Sequence, residues 1–254
     1  IIGTITCASP FIDIIDNVGT WASIKSGGSE LNGDDYFEIS ALDVTIPGTM
    51  AHLILNVESS TGYQSSSIIP IQIGEAGVND PLGPDSYGYY IYDNEDLNYI
   101  LSPTYNWVEI DAREGGPGSH LSSLSDTGNN QDDVETINLP FTFRFYGVEY
   151  DQISISSNGW IAMGETELES FRNYELPGVG GPSKMIAVFW DDLKTSNGGR
   201  VYTWYDQDQK KFYVEWSGVR TYQNNTVETF QAVLFDPDYY VTPTGDGDIL
   251  LQFK

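Results

Sequence analysis

The chain has 254 residues, 40% of them hydrophobic and 13% aromatic, which excludes a disordered polymer and allows one large or two modest domains with real cores. With 37 acidic against 11 basic residues its formal charge is −26, which argues against nucleic acid, a partner that needs a basic stripe, and against an anionic membrane surface. One cysteine, Cys7, rules out an internal disulfide and a Cys-based zinc site, and no apolar run approaches a membrane span.

The chain opens Ile1-Ile2-Gly3 without an initiator Met, so processing or trimming at the start is expected. Helical periodicity is nearly absent. A first strand is expected around Tyr36–Leu42, followed by a Pro47-Gly48 turn. In Met50–Val57, Leu53, Leu55 and Val57 alternate against Ile54 and Asn56, and Ile68–Ile73 again has period two. The polar cluster Ser59–Ser67 reads as the turn between them. Residues 1–78 therefore read as an all-β module. The next stretch, 74-GEAGVNDPLGPDSYG-88, is rich in Gly and Pro and reads as a linker or boundary.

Residues 79–254 read as a second β-domain. Its expected strands are Asn106–Asp111, Glu135–Asn138, Phe141–Tyr146, Gln152–Ser156, Trp160–Met163, Met185–Trp190, Val201–Tyr205, Lys211–Val219, Thr229–Phe235 and Asp248–Phe253. Asn158-Gly159, Asn197-Gly198-Gly199 and Asp206-Gln207-Asp208-Gln209 supply hairpin-type turns. Phe141, Phe143 and Phe145 alternate with Thr142 and Arg144, which puts three rings on one face of a strand. The fold class is all-β, two β-sandwich domains.

Catalytic chemistry finds little to work with. Ile1-Ile2-Gly3 and Thr49-Met50-Ala51-His52 echo an activated trypsin-like protease, but no serine stands in a Gly-Asp-Ser-Gly context and nothing singles out an orienting aspartate. His52 begins an alternating strand, where a packed or edge histidine is the ordinary role, and His120 lies in a Gly-rich loop. Neither a phosphate-binding glycine loop nor a spacing that selects one carboxylate pair is present. No catalytic residue is assigned.

Acidic turns are a separate matter. Asp93-Asn94-Glu95-Asp96, Asp191-Asp192 and Asp246-Gly247-Asp248 gather oxygen ligands of the kind that hard cations prefer. The best calcium candidates are Asp80, Asp85, Asp93 and Asp96, which bracket rigid Gly-Pro turns. Solvated turns are the alternative for each.

The runs Leu139-Pro140-Phe141-Thr142-Phe143-Arg144-Phe145-Tyr146-Gly147 and Ser157-Asn158-Gly159-Trp160-Ile161 resemble the opening of a nidogen-like extracellular domain. Ile186–Leu193, with its apolar residues followed by Asp191-Asp192, resembles a later strand of that domain, as do Phe212–Trp216 and Thr229–Leu234. The stretch 80–111 is similar to modules that follow the catalytic domain of large secreted bacterial peptidases of the gingipain-like and subtilisin-like kinds. Residues 1–78 resemble the later part of the immunoglobulin-like module that precedes it there.

The resemblance implies accessory β-modules without catalysis, at the cell surface or outside the cell, and carries no catalytic residue onto this chain. Both sandwiches are expected to be incomplete, the first at its N-terminal side and the second at its C-terminal side. Exposed strand edges would then pair with other domains of a parent polypeptide or with neighbouring copies. Adhesion, substrate positioning and assembly are the expected roles. The alternatives are an accessory part of a peptidase's active unit and a carbohydrate-binding module. Six Trp and 17 Tyr make sugar stacking attractive, but Trp190, Trp204 and Trp216, with Trp107 and Trp160, fall in strands where core packing is the expected role. The sequon Asn224-Asn225-Thr226 and the scarcity of Lys agree with a secreted protein.

Overall fold

A computed structural model describes residues 1–9, 11–33, 35–85, 87–128 and 131–254. The chain divides into two compact units, Ile1–Thr104 and Tyr105–Lys254, so by contacts residues 79–104 group with the first. Both units are built from antiparallel β-sheet. No helix among the described residues is long and apolar enough to cross a membrane.

In the first unit, β1 (Ile2–Cys7), β2 (Ile12–Asp16), β3 (Val18–Thr20), β4 (Glu38–Ala41), β5 (Thr49–Glu58) and β6 (Gln64–Ile73) form two sheets. The larger has the order β3-β1-β5-β6, and β2 pairs with β4 in the smaller. Period two on β5 turns Ala51 and Leu53 to a buried face with Ile5 of β1, while Met50, His52 and Ile54 are exposed. Ile12 and Ile46 complete this small core. Trp21 packs its ring over Gly3 and beside Phe37, so it too serves packing.

One expected boundary moves here. Ser65, Ser66 and Ser67, read above as turn, are strand residues of β6 paired with Val57, Asn56 and Leu55. The turn is confined to Ser59–Tyr63, where the Ser59 side chain accepts from the Tyr63 amide at 3.0 Å. The serine half of this edge strand buries neither face, so it lacks the alternation that announces Ile68–Ile73.

The second unit contains β7 (Ser119–His120), β8 (Val134–Phe145), β9 (Val148–Ser156), β10 (Trp160–Met163), β11 (Met185–Ala187), β12 (Leu193–Lys194), β13 (Arg200–Asp206), β14 (Lys211–Thr221), β15 (Val227–Phe235) and β16 (Ile249–Phe253). One sheet runs β11-β10-β9-β8. The other runs β16-β15-β14-β13-β7, with β12 also paired to β14. Their facing sides carry Phe143, Ile153, Ile155 and Ile161 on one sheet and Val214, Trp216, Phe230, Ala232 and Leu234 on the other, all buried. Trp216 stacks on Phe230 at 5.0 Å and donates its indole N–H to the Ser156 carbonyl at 2.8 Å, tying one sheet to the other. Residues that alternate so regularly have one packed solution, a sandwich.

The three phenylalanines behave as expected: Phe143 and Phe145 are buried, and Phe141 packs against Tyr205 at 5.8 Å. The two strands expected at 135–138 and 141–146 are one strand, β8, interrupted by a bulge in which residues 139–142 stand opposite Asp151 alone. Tyr146 (φ 49°) and Gly147 (φ 73°) then turn the chain into β9. The Asn197-Gly198 turn is a corner between β12 and β13, which pair with β14 and not with each other.

The largest departure is Asn106–Asp111. It joins no ladder: the Asn106 and Ile110 amides and the Val108 carbonyl bond to side chains, and the Ile110 and Asp111 carbonyls accept from the amides of the following turn.

Candidate functional site

Two polar clusters in the second unit lie where surface loops would not put them. The first surrounds the β9–β10 turn. Gly159 takes φ 75° there, and a Cβ on it would lie 2.1 Å from the Phe189 carbonyl oxygen, so no other residue fits. Gly159→Ala is expected to lower the stability of this unit by about 3 kcal/mol, through backbone strain and the displaced 189–193 segment, measured by chemical unfolding.

Asn158 next to it is fully buried. Its carbonyl oxygen accepts from the Leu193 amide at 2.9 Å, and its amide nitrogen donates to Asp132 Oδ1 at 2.9 Å. Asn158 thus joins the two motifs Ser157-Asn158-Gly159-Trp160 and Trp190-Asp191-Asp192-Leu193. Ser157 donates to Asp126 Oδ2 at 2.8 Å, and the Gly128 amide to Asp126 Oδ1 at 2.7 Å. Burial, then the neighbouring charges of Asp132 and Asp192, push the Asp126 carboxyl up to about 6. Asp192 is raised for the same reasons, with Asp132 and Asp191 as its neighbours. Asp133 accepts from the Ser125 and Val134 amides. The carboxylates of this cluster mostly hold backbone amides and hydroxyls in place. On the far side of β10 the indoles of Trp160 and Trp190 both donate to the Ser170 carbonyl, at 2.7 and 3.1 Å.

The second cluster lies on the outer face of the larger sheet. Glu215, Gln231 and Gln252 stand in register on β14, β15 and β16, all buried. The segment 105–111 runs across them. The Asn106 amide donates to Gln252 Oε1 (2.9 Å), Gln231 Nε2 donates to the Val108 carbonyl (2.6 Å), and the Ile110 amide donates to Glu215 Oε2 (3.2 Å). Gln231 Nε2 also donates to Glu215 Oε2 at 2.7 Å. Ile110 is buried against Tyr202, Tyr213 and Val233. A chain with no strand partner has its backbone satisfied by a row of side chains.

Glu109, on this segment, lies against Glu215. Burial and the nearby Glu109 push Glu215 up to about 7, so it is largely a neutral acid at slightly acid pH. Burial works to raise Glu109 as well, but bonds from Lys254 (2.9 Å), the Asp111 amide (3.0 Å) and the Trp107 indole (3.3 Å) outweigh it and hold Glu109 low. Just beyond, Arg113 makes a two-nitrogen contact to the buried Asp111 carboxylate, which also accepts from Ser217 at 2.7 Å. Those bonds keep Asp111 well below the usual carboxylate range despite its burial.

The sequence did not single out Glu109 or Glu215. The signal was there: an acid or amide in the middle of each of three apolar strands, Tyr213-Val214-Glu215-Trp216, Phe230-Gln231-Ala232 and Leu251-Gln252-Phe253.

The calcium candidates are placed as follows. Asp85 Oδ1 accepts from the amides of Tyr87, Gly88 and Tyr89. Asp93 accepts from the Glu95 amide, Asp96 from the Asp93 amide, and Asp80 from the Gly77 amide and the Tyr99 hydroxyl. Each closes its own turn, the common task of aspartate in such loops. Asp80 and Asp96 both face Tyr99, whose hydroxyl is raised by burial and by these two charges. Among the described residues no three His, Cys, Asp or Glu side chains are grouped to hold a metal ion. The His120 ring packs tilted against Tyr202 at 5.5 Å, and burial, then Arg200 and Arg113, lower its basicity.

Residues 110–239 match the family described as NIDO related, a span just over half the chain. The chain belongs to the NIDO-related family. Both clusters fall largely inside the matched span, as do the nidogen-like runs at 139–147, 157–161, 186–193, 212–216 and 229–234. Comparison with curated proteins and with solved structures found no match. Within the matched span, Asn158, Asp126, Glu215 and Gln231 all serve to hold backbone groups.

Proposed function

We propose that this chain is a non-catalytic, extracellular β-module of a larger secreted or cell-surface protein, with an immunoglobulin-like first domain, and that it serves adhesion, substrate positioning or assembly through its surface and strand edges. The NIDO-related family supports this reading. The observation that carries it is the state of Glu109 and Glu215. A carboxyl pair working on a substrate needs a gap between its members and a path to solvent. Here Glu109 is taken up by Lys254, the Trp107 indole and the Asp111 amide, and Glu215 is fully buried under the 105–111 segment. The tryptophans support it too: Trp160, Trp190 and Trp216 are buried, which removes them from any sugar-stacking surface. For assembly, the ten-residue β6 is the longest unbulged edge strand among the described residues.

The purified chain is expected to turn over no peptide, ester or glycoside chromogenic substrate between pH 5 and 8, and to adsorb saturably to immobilised extracellular-matrix or cell-wall material. Turnover that Glu215→Gln abolishes would overturn the proposal. So would a chain that neither adsorbs nor self-associates at micromolar concentration in sedimentation velocity.

A further inference from the structure

The segment 105–111 is attached to the sheet in an unusual way. Three side chains, from three adjacent strands, grip its backbone at every second residue, and Ile110 plugs the apolar spot formed by Tyr202, Tyr213 and Val233. Two of the groups involved are carboxyls brought side by side: Glu215 on the sheet, and Glu109 on the segment next to Ile110, whose amide bonds Glu215 Oε2. Glu215 Oε1 has no N–H or O–H donor, and both oxygens are inside the protein. Such a contact is attractive only while a proton sits between the two groups.

We propose that residues 105–111 are a releasable strap and that the proton shared by Glu109 and Glu215 is its latch. With the proton in place, Glu215 donates to Glu109 through Oε1 and accepts from the Ile110 amide and Gln231 through Oε2. When the proton leaves to solvent, two carboxylates face each other, one of them fully buried. Lifting the strap removes Glu109 from Glu215 and admits water to Glu215, which relieves both penalties. The lifted strap uncovers Tyr202, Tyr213 and Val233, an apolar face bordered by backbone-binding side chains.

The surrounding charges do not cancel the effect. On the strap side these are Glu109, Asp111, Arg113 and Glu114. From the sheet, Tyr202 stands opposite Glu215 in register, and Lys254 follows β16. Arg113 is committed to Asp111. Lys254 bonds Glu109 but is 53% exposed, so solvent screens it. Neither cation reaches Glu215 by a hydrogen bond.

Glu215 titrates at about 7 when covered and near its ordinary 4.5 when open. The covered state therefore binds the proton more tightly, and its advantage is full below pH 4.5 and is lost as pH rises toward 7. This inference uses the same carboxyl pair as the proposed function but concerns regulation of the fold, and loss of the pH slope and appearance of turnover are separate outcomes.

Hydrogen exchange of the intact chain tests it. After correction for the intrinsic rate, protection of the Ile110 and Asn106 amides is expected to fall roughly ten- to a hundredfold between pH 5 and 8.5, while the Val214 amide in β14 keeps its protection. Glu215→Gln is expected to flatten this dependence, because its amide can accept from Ile110 and donate to Glu109 as the neutral acid does. Strap protection that does not change with pH, or a Glu215→Gln chain that keeps the slope, overturns the proposal. Should that variant fail to fold, a change on the exposed side of the strap decides. Glu109→Gln then gives the second reading: without a facing carboxylate the pH dependence of strap protection is expected to shrink, and an unchanged slope in that chain overturns the latch.

Discussion

Trp216→Ala is expected to destabilise the second unit by about 5 kcal/mol, the upper end for loss of a buried aromatic. Its indole is fully buried between the sheets, so truncation leaves a cavity lined by residues already held in register. It also removes the stack on Phe230 and leaves the Ser156 carbonyl without its donor. Trp216→Phe separates these contributions: it keeps most of the apolar contact and loses the hydrogen bond, for an expected loss of about 2 kcal/mol. Chemical unfolding followed by tryptophan fluorescence reads both, since five of the six Trp belong to this unit and only Trp21 to the other. Equal losses for Ala and Phe would show that the bond to Ser156, and not packing, carries the effect.

Asn158→Asp, a change of one atom, is expected to do comparable damage, about 4–5 kcal/mol at pH 7.5. The buried amide that donates to Asp132 becomes an acceptor facing an acceptor, in a cluster that already holds Asp126 and Asp192. The new carboxyl would be raised in the folded state. Its protonated form can donate to Asp132 as the amide does, so the loss should shrink as pH falls toward 4.5. Wild-type and variant unfolding free energies measured from pH 4.5 to 8 check the sign: the gap must widen with rising pH. A gap independent of pH would mean that shape, and not charge, makes Asn158 necessary.

Much of the fold was legible because burial imposes alternation. Phe141, Phe143 and Phe145, the Lys211–Val219 run and the Trp160–Met163 segment each bury a face, and each emerged as a strand. The Asn158-Gly159 turn was legible because its backbone demands glycine. What stayed hidden has one cause in common: stabilisation outside a patterned face. The N-terminal strands β1 to β3 are short or half exposed. The serines of β6 lie on an edge that buries little. Asn106–Asp111 alternates like a strand, with Val108 and Ile110 turned inward, so the pattern could not tell pairing with a neighbour from lying across a sheet. The site was less legible still. Asp191-Asp192 and the Asp80–Asp96 stretch attracted attention as visible acid runs, whereas Glu215 is a single acid in an apolar strand, and its importance lies in residues far away in sequence.

The row Glu215–Gln231–Gln252 also constrains how the sheet can assemble. These three residues present a donor and acceptors at the correct spacing only when β14, β15 and β16 pair exactly as Glu215 with Gln231 and Gln231 with Gln252. A slip of one residue in any strand would turn its polar side chain toward Trp216 and Phe230 and take one anchor from the strap. The strap therefore docks only on a correctly aligned sheet and adds its binding free energy to that alignment alone. It acts as a proofreader of strand register, rewarding the right pairing after the strands have met.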